Sequence, residues 1–136
     1  MLLRGAPRDA SPAARLLLLA GILVGAAMVV VSAAIHLHLW SIGYKHIRWI
    51  GPSFLLQSIS GFALALVLVT WRRLVAVALA AGFLASSIVA LLLSATVGFL
   101  GLHDGLDVPW ADWSLASEAA GLVVLLACGA AMLRGR

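Results

Sequence analysis

The sequence predicts an all-α fold, a four-helix transmembrane bundle that runs antiparallel, up-down-up-down, with both termini on the cytoplasmic side. Three observations predict it. Of the 136 residues, 64% are hydrophobic and 10% charged, whereas a soluble domain is about half apolar and a quarter charged. The apolar residues gather into four runs, each near the ~20 residues a helix needs to cross the hydrocarbon core of a bilayer. The basic residues cluster at the ends of those runs, and mostly at alternate ends, as the positive-inside rule requires. The alternation of a membrane β-barrel is absent. The chain reads as a single membrane domain, residues 1–136, in the bacterial inner (cytoplasmic) membrane. Its partner is the lipid bilayer, with a homo-oligomer or a larger membrane complex open.

Residues 1–12 carry Arg4, Arg8, Asp9, Pro7 and Pro12 and read as a short disordered basic arm. The first span is expected over about 14–40. A competing reading makes it a cleaved signal peptide with Val31-Ser32-Ala33 as the small-residue site. The apolar run, however, continues past that site to an interfacial Trp40. Within it, Gly21 and Gly25 form a GxxxG step, which lets a second backbone approach closely.

The second span is expected over 52–71, opening on Gly51-Pro52 with proline at the first helical position. Arg72-Arg73 follow at once, and so tight a turn makes the second and third spans neighbours. The third span is expected over 74–100, with Ala78, Gly82 and Ser86 as a small-residue stripe at spacing four. A loop holding His103, Asp104, Asp107 and Asp112 comes next. Asp112 stands where a cap and the helix dipole would favour an acid. The fourth span is expected over 113–133, with Ser114, Ser117, Glu118 and Gly121 on one side.

Four spans put Arg4, Arg8, Arg15, Arg72, Arg73, Arg134 and Arg136 on one side, and Lys45 and Arg48 on the other. That bias makes the first side cytoplasmic. Trp40, Trp49, Trp110 and Trp113 then belt the outer interface, and Trp71 marks the inner one. The formal charge of +4 does not point to nucleic acid, because the basic residues cap apolar runs and form no polar face. The lone Cys128 permits no intrachain disulfide. Arginine in large excess over lysine fits a GC-rich bacterial genome.

The candidate site is a polar layer below the outer surface. His36 lies one turn before Trp40, about 6 Å inside that end. Gln57 and Glu118 lie at similar depths in their spans, and His103 at the outer end of the third. Ionisable groups at such depth face protein or a water-filled cavity and are functional candidates. Glu118 can serve as a proton carrier or metal ligand, or as a structural acceptor bonded to His36, Gln57 or Arg48. His36 and His38 resemble a metal-binding HxH pair, but residues two apart on a helix point to nearly opposite faces. Haem ligation by His36 and His103 is the alternative that uses two helices. Neither a metal nor another cofactor is assigned. Lys45 and Arg48 are expected to pair with Asp104, Asp107 and Asp112, or to hold anionic headgroups. The serines are expected to bond their own helix carbonyls. No phosphate loop, GxSxG elbow, HExxH or inverted repeat of broken helices is present.

The segment His36-Leu37-His38-Leu39-Trp40, with Gly43-Tyr44-Lys45-His46-Ile47, Ile50-Gly51-Pro52, Phe54-Leu55-Leu56-Gln57 and Ser117-Glu118, resembles small four-span bacterial membrane proteins of uncharacterised function. The resemblance implies four spans and an outer polar cluster, and carries no reaction with it. The function expected is therefore that of a non-enzymatic membrane protein or an accessory subunit of a larger membrane complex. The alternatives are a small proton-coupled transporter using Glu118 and a haem or metal protein using His36 and His103.

Overall fold

A computed structural model describes residues 5–98 and 110–134. Its elements are α1 (Pro12–Ile42), a 3-10 turn (Tyr44–His46), α2 (Ile50–Trp71), α3 (Leu74–Thr96) and α4 (Ala111–Arg134). All four α-helices are long and apolar enough to cross a membrane. At 1.5 Å per residue, the 31 residues of α1 extend about 46 Å. That exceeds the ~30 Å hydrocarbon core.

The ends of the helices are set by local chemistry. Ser11 caps α1 by accepting from the Ala14 N–H, and Pro12 follows where a missing N–H costs nothing. Gly43 ends the helix at φ 152°, its N–H returning to the Leu39 carbonyl. The second helix starts two residues before the sequence expectation, so Pro52 is its third residue and not its first. Its nitrogen still falls in the first turn, where no intrahelical acceptor exists. Arg72, at φ 47°, closes α2 through an N–H to the Leu68 carbonyl, and α3 begins two residues later. The third helix stops at Thr96: the Val97 N–H makes the last regular helical bond, to the Leu93 carbonyl at 3.0 Å, and the Gly98 N–H turns back to that same oxygen at 2.7 Å. The left-handed φ of 92° at Gly98 suits glycine. Asp112 lies inside the first turn of α4 and not at its cap, so its carboxylate serves the helix dipole.

Helix α1 packs on α2 and α4, and α3 packs on α4; α2 and α3 touch much less. The core between them holds Val29, Leu68, Val77, Leu84, Leu125 and Met132, all nearly or fully buried. Glycines bring the backbones together. A Cβ on Gly21 would stand 2.6 Å from the Cys128 Sγ, and one on Gly25 would press into Leu125. One on Gly121 would stand 2.7 Å from the Met28 Cβ. The GxxxG step is thus filled by this chain's own α4. Gly61 fits in the same manner between Ala33 and Phe83. The outward faces carry Leu17, Leu23, Leu56, Leu66, Leu79 and Leu126, all exposed.

Candidate functional site

Ser32 lies one turn before His36 on α1, and Ser114 lies one turn before Glu118 on α4. Residues four apart share a helix face, so each serine is stacked against an ionisable group. Where α1 meets α4, Glu118 is 0% exposed and its Oε1 accepts two hydroxyl donors, Ser32 Oγ at 2.7 Å and Ser114 Oγ at 2.9 Å. Its Oε2 is buried and has no partner among the described residues. Ser117 donates to the Ser114 carbonyl at 3.0 Å and tightens the same turn.

His36 takes its position from the same serine. Its Nδ1 is 2.8 Å from the Ser32 backbone oxygen. A carbonyl oxygen only accepts, so Nδ1 carries the proton, and Nε2 of the neutral ring is an acceptor. The ring stands edge-on to Phe54 at 5.1 Å, and Phe54 is stacked with Tyr44 at 5.2 Å. His38 lies on another face of the helix, edge-on to Trp110 at 5.4 Å. The two histidines therefore serve different contacts, as their spacing of two on a helix dictates.

Where α2 and α3 part, a cleft of about 300 Å³ opens. Ser53, Phe54 and Gln57 of α2 form one wall, and Ser86, Ser87 and Ser94 of α3 form the other. His36 of α1 and Ser114 of α4 form its back. Gln57 Nε2 donates to Ser87 Oγ, a bond that links the two walls. Ser114 thus has two roles, lining the cleft and donating to the carboxyl group behind it. Leu56, at the rim, is 66% exposed.

Of the four residues expected to form one polar layer, the three described ones divide into two arrangements. His36 and Gln57 line the cleft, whereas Glu118 does not. The partners expected for Glu118 were His36, Gln57 or Arg48; the bonded groups are Ser32 and Ser114. His103, Asp104 and Asp107 lie outside the described residues. The pairing expected for Lys45 and Arg48 with Asp104 and Asp107 thus lies outside the described residues, and each cation stands over a ring. Lys45 Nζ lies 5.5 Å from the centre of the Trp40 ring, and the Arg48 guanidinium 5.3 Å from that of Trp49. Asp112 is exposed and joins neither. Gly21, Gly25 and Gly121 sit in the α1–α4 seam, but Gly82 and Ser86 do not: both are exposed, and a Cβ on Gly82 would meet nothing described within 4 Å.

Sequence reasoning placed Ser114 on the face of Glu118 but gave none of Ser32, Ser87 and Ser114 a side-chain partner. The signal was present in the first and last of these, each four residues before a histidine or glutamate. Ser87 carried no such mark, because its partner comes from another helix. The cleft can receive a group that donates hydrogen bonds, and the α1–α4 knot holds a carboxyl group away from water. Among the described residues, no three His, Cys, Asp or Glu side chains gather as a metal-binding set. Comparison with protein-family models, curated proteins and solved structures finds no match to this chain.

Proposed function

We propose that this chain is a non-enzymatic, multi-pass protein of the bacterial cytoplasmic membrane that binds a small neutral ligand in the cleft between α2 and α3. Its helices alternate up-down-up-down, both termini are cytoplasmic, and the cleft lies toward the outer face. The positive-inside bias supports that orientation. So does the closeness of Gly5 to the α2–α3 turn, where its Cβ position is 3.7 Å from Arg73 Nη1.

The observation that carries the binding reading is where four of the cleft's hydrogen-bond donors are spent. His36 gives its Nδ1 proton to the Ser32 carbonyl. Ser53, Ser86 and Ser94 give their hydroxyl protons to the carbonyls of Trp49, Phe83 and Leu91. What these groups still offer is lone pairs: His36 Nε2 and three serine oxygens. Among the described residues no Asp, Glu, Lys or Arg lines the cleft, so none of them compensates a charged ligand. An uncharged hydroxyl compound with an apolar body satisfies both conditions, its body lying on Leu39, Phe54, Leu56 and Leu91. The volume is at the lower end for small-molecule sites, which suits a headgroup whose tail stays in lipid.

The test uses Trp110, which lines the cleft, as a fluorescent reporter in the purified full-length protein. Titration with 1-oleoylglycerol should change its emission saturably, and the dimethyl ether of that lipid should bind about five- to tenfold more weakly, the loss expected for about one hydrogen bond. His36→Phe should remove the difference. No saturable binding, or equal binding of ether and alcohol, would overturn the reading.

A second reading, an accessory subunit of a larger complex, is favoured by one observation. The Ala78, Gly82 and Ser86 face of α3 is exposed, and none of the chain's own described helices fills it. Small residues at spacing four are the usual surface for close helix association in lipid. The carrier reading would rest on Glu118, whose full burial and two serine donors favour a structural task. The haem reading requires His103.

A further inference from the structure

The opposite end of the bundle holds a second cavity, about 640 Å³, formed where the N-terminal arm folds against α1 and the α2–α3 turn. Three arginines line it: Arg8 from the arm, Arg15 from the first turns of α1, and Arg72 from the turn. All three are exposed. Their placement is specific. Arg15 Nη2 donates to the Arg8 carbonyl at 2.6 Å, which holds the arm against the helix. The left-handed backbone at Arg72, φ 47°, sets where its side chain leaves the α2–α3 turn.

Among the described residues no carboxylate lines the cavity, and Asp9, beside Arg8 in sequence, is exposed outside it. Three guanidinium groups are thus gathered with no counter-charge among the described residues of the lining. The floor is Leu16, Leu18, Leu19 and Ile22, apolar surface at the start of a helix long enough to cross a membrane. Positive charge above and hydrocarbon below match one chemistry: a phosphate ester joined to acyl chains. Guanidinium groups bind phosphate through paired, directed hydrogen bonds. A free phosphate ion would leave the apolar floor uncovered. A zwitterionic lipid would bring its own cation among the arginines.

We infer that this cavity is a binding site for an anionic phospholipid, its phosphate held by Arg8, Arg15 and Arg72 and its chains laid along the N-terminal turns of α1. The site is separate from the cleft, at the other end of the bundle, and does not depend on what the cleft binds.

The test is native mass spectrometry of the full-length protein released from detergent, titrated with phosphatidylglycerol and with phosphatidylcholine of the same chains. Phosphatidylglycerol should bind about a hundredfold more tightly. A basic residue near an anionic lipid contributes about a fivefold factor. Replacing all three arginines by glutamine should therefore weaken phosphatidylglycerol binding by about a hundredfold and leave phosphatidylcholine unchanged. Replacing all three by lysine keeps the charge and should restore most of the preference, which separates loss of the site from loss of the fold. Lys45→Gln with Arg48→Gln, at the far end, should change nothing. The inference is overturned if both lipids bind the unmodified protein equally or if the glutamine variant keeps its preference. It is also overturned if millimolar inorganic phosphate displaces the lipid as well as a second phosphatidylglycerol does, because the site would then recognise a free anion.

Discussion

Glu118 concentrates the residue-scale physics of this chain. A carboxyl group in hydrocarbon costs several kcal/mol unless it is bonded. Here one oxygen receives two serine hydroxyls, one of them from another helix. An amide oxygen can accept the same two bonds, so Glu118→Gln should keep the fold, with stability within about 1 kcal/mol of the unmodified protein. Ser32→Ala removes the α1–α4 hydrogen bond and should cost about 0.6–1.7 kcal/mol, the range for interhelical bonds in lipid. Reversible unfolding in mixed micelles measures both. A loss above 3 kcal/mol in Glu118→Gln would mean that the ionised carboxylate, and not the hydrogen-bond geometry, holds the seam. Reading these partners from sequence was harder than finding Glu118 itself. A membrane serine can always bond its own helix, as Ser58, Ser86 and Ser94 do with the carbonyls of Phe54, Phe83 and Leu91. Only the rotation of one helix against another shows which serines cross over.

At the scale of elements, the glycines separate two kinds of helix surface. In lipid the hydrophobic effect does not drive helices together, so close packing and dispersion must. Gly25 faces Leu125 so closely that a side chain there displaces α4, whereas Gly82 faces open space. Gly25→Leu should therefore destabilise the bundle by at least about 1–3 kcal/mol, the cost of overpacking. Gly82→Leu should leave its stability within about 0.5 kcal/mol. If α3 docks on a further helix, Gly82→Leu should also abolish co-purification or self-association measured by crosslinking. Unchanged association would remove the accessory-subunit reading. Both glycines satisfy the same spacing rule in the sequence, and the rule does not say which face turns inward. The four helices were legible because long apolar runs leave few alternatives. The cleft was not, since it depends on α2 and α3 parting after a turn that only guarantees they begin together.

The whole molecule has two chemically unlike ends. One gathers arginines from the arm, α1 and the α2–α3 turn; the other gathers aromatic rings, His36 and a cleft rich in acceptors. The charge asymmetry was readable in the sequence, because the basic residues flank apolar runs in an order that four crossings sort by side. The central claim is that these ends lie on opposite faces of a membrane, and single-cysteine labelling in intact cells tests it most directly. In a Cys128→Ala background, Lys45→Cys should react with a membrane-impermeant maleimide, while Arg72→Cys should react only after the cells are permeabilised. Equal labelling of both positions in intact cells, or labelling of Arg72→Cys alone, would contradict it.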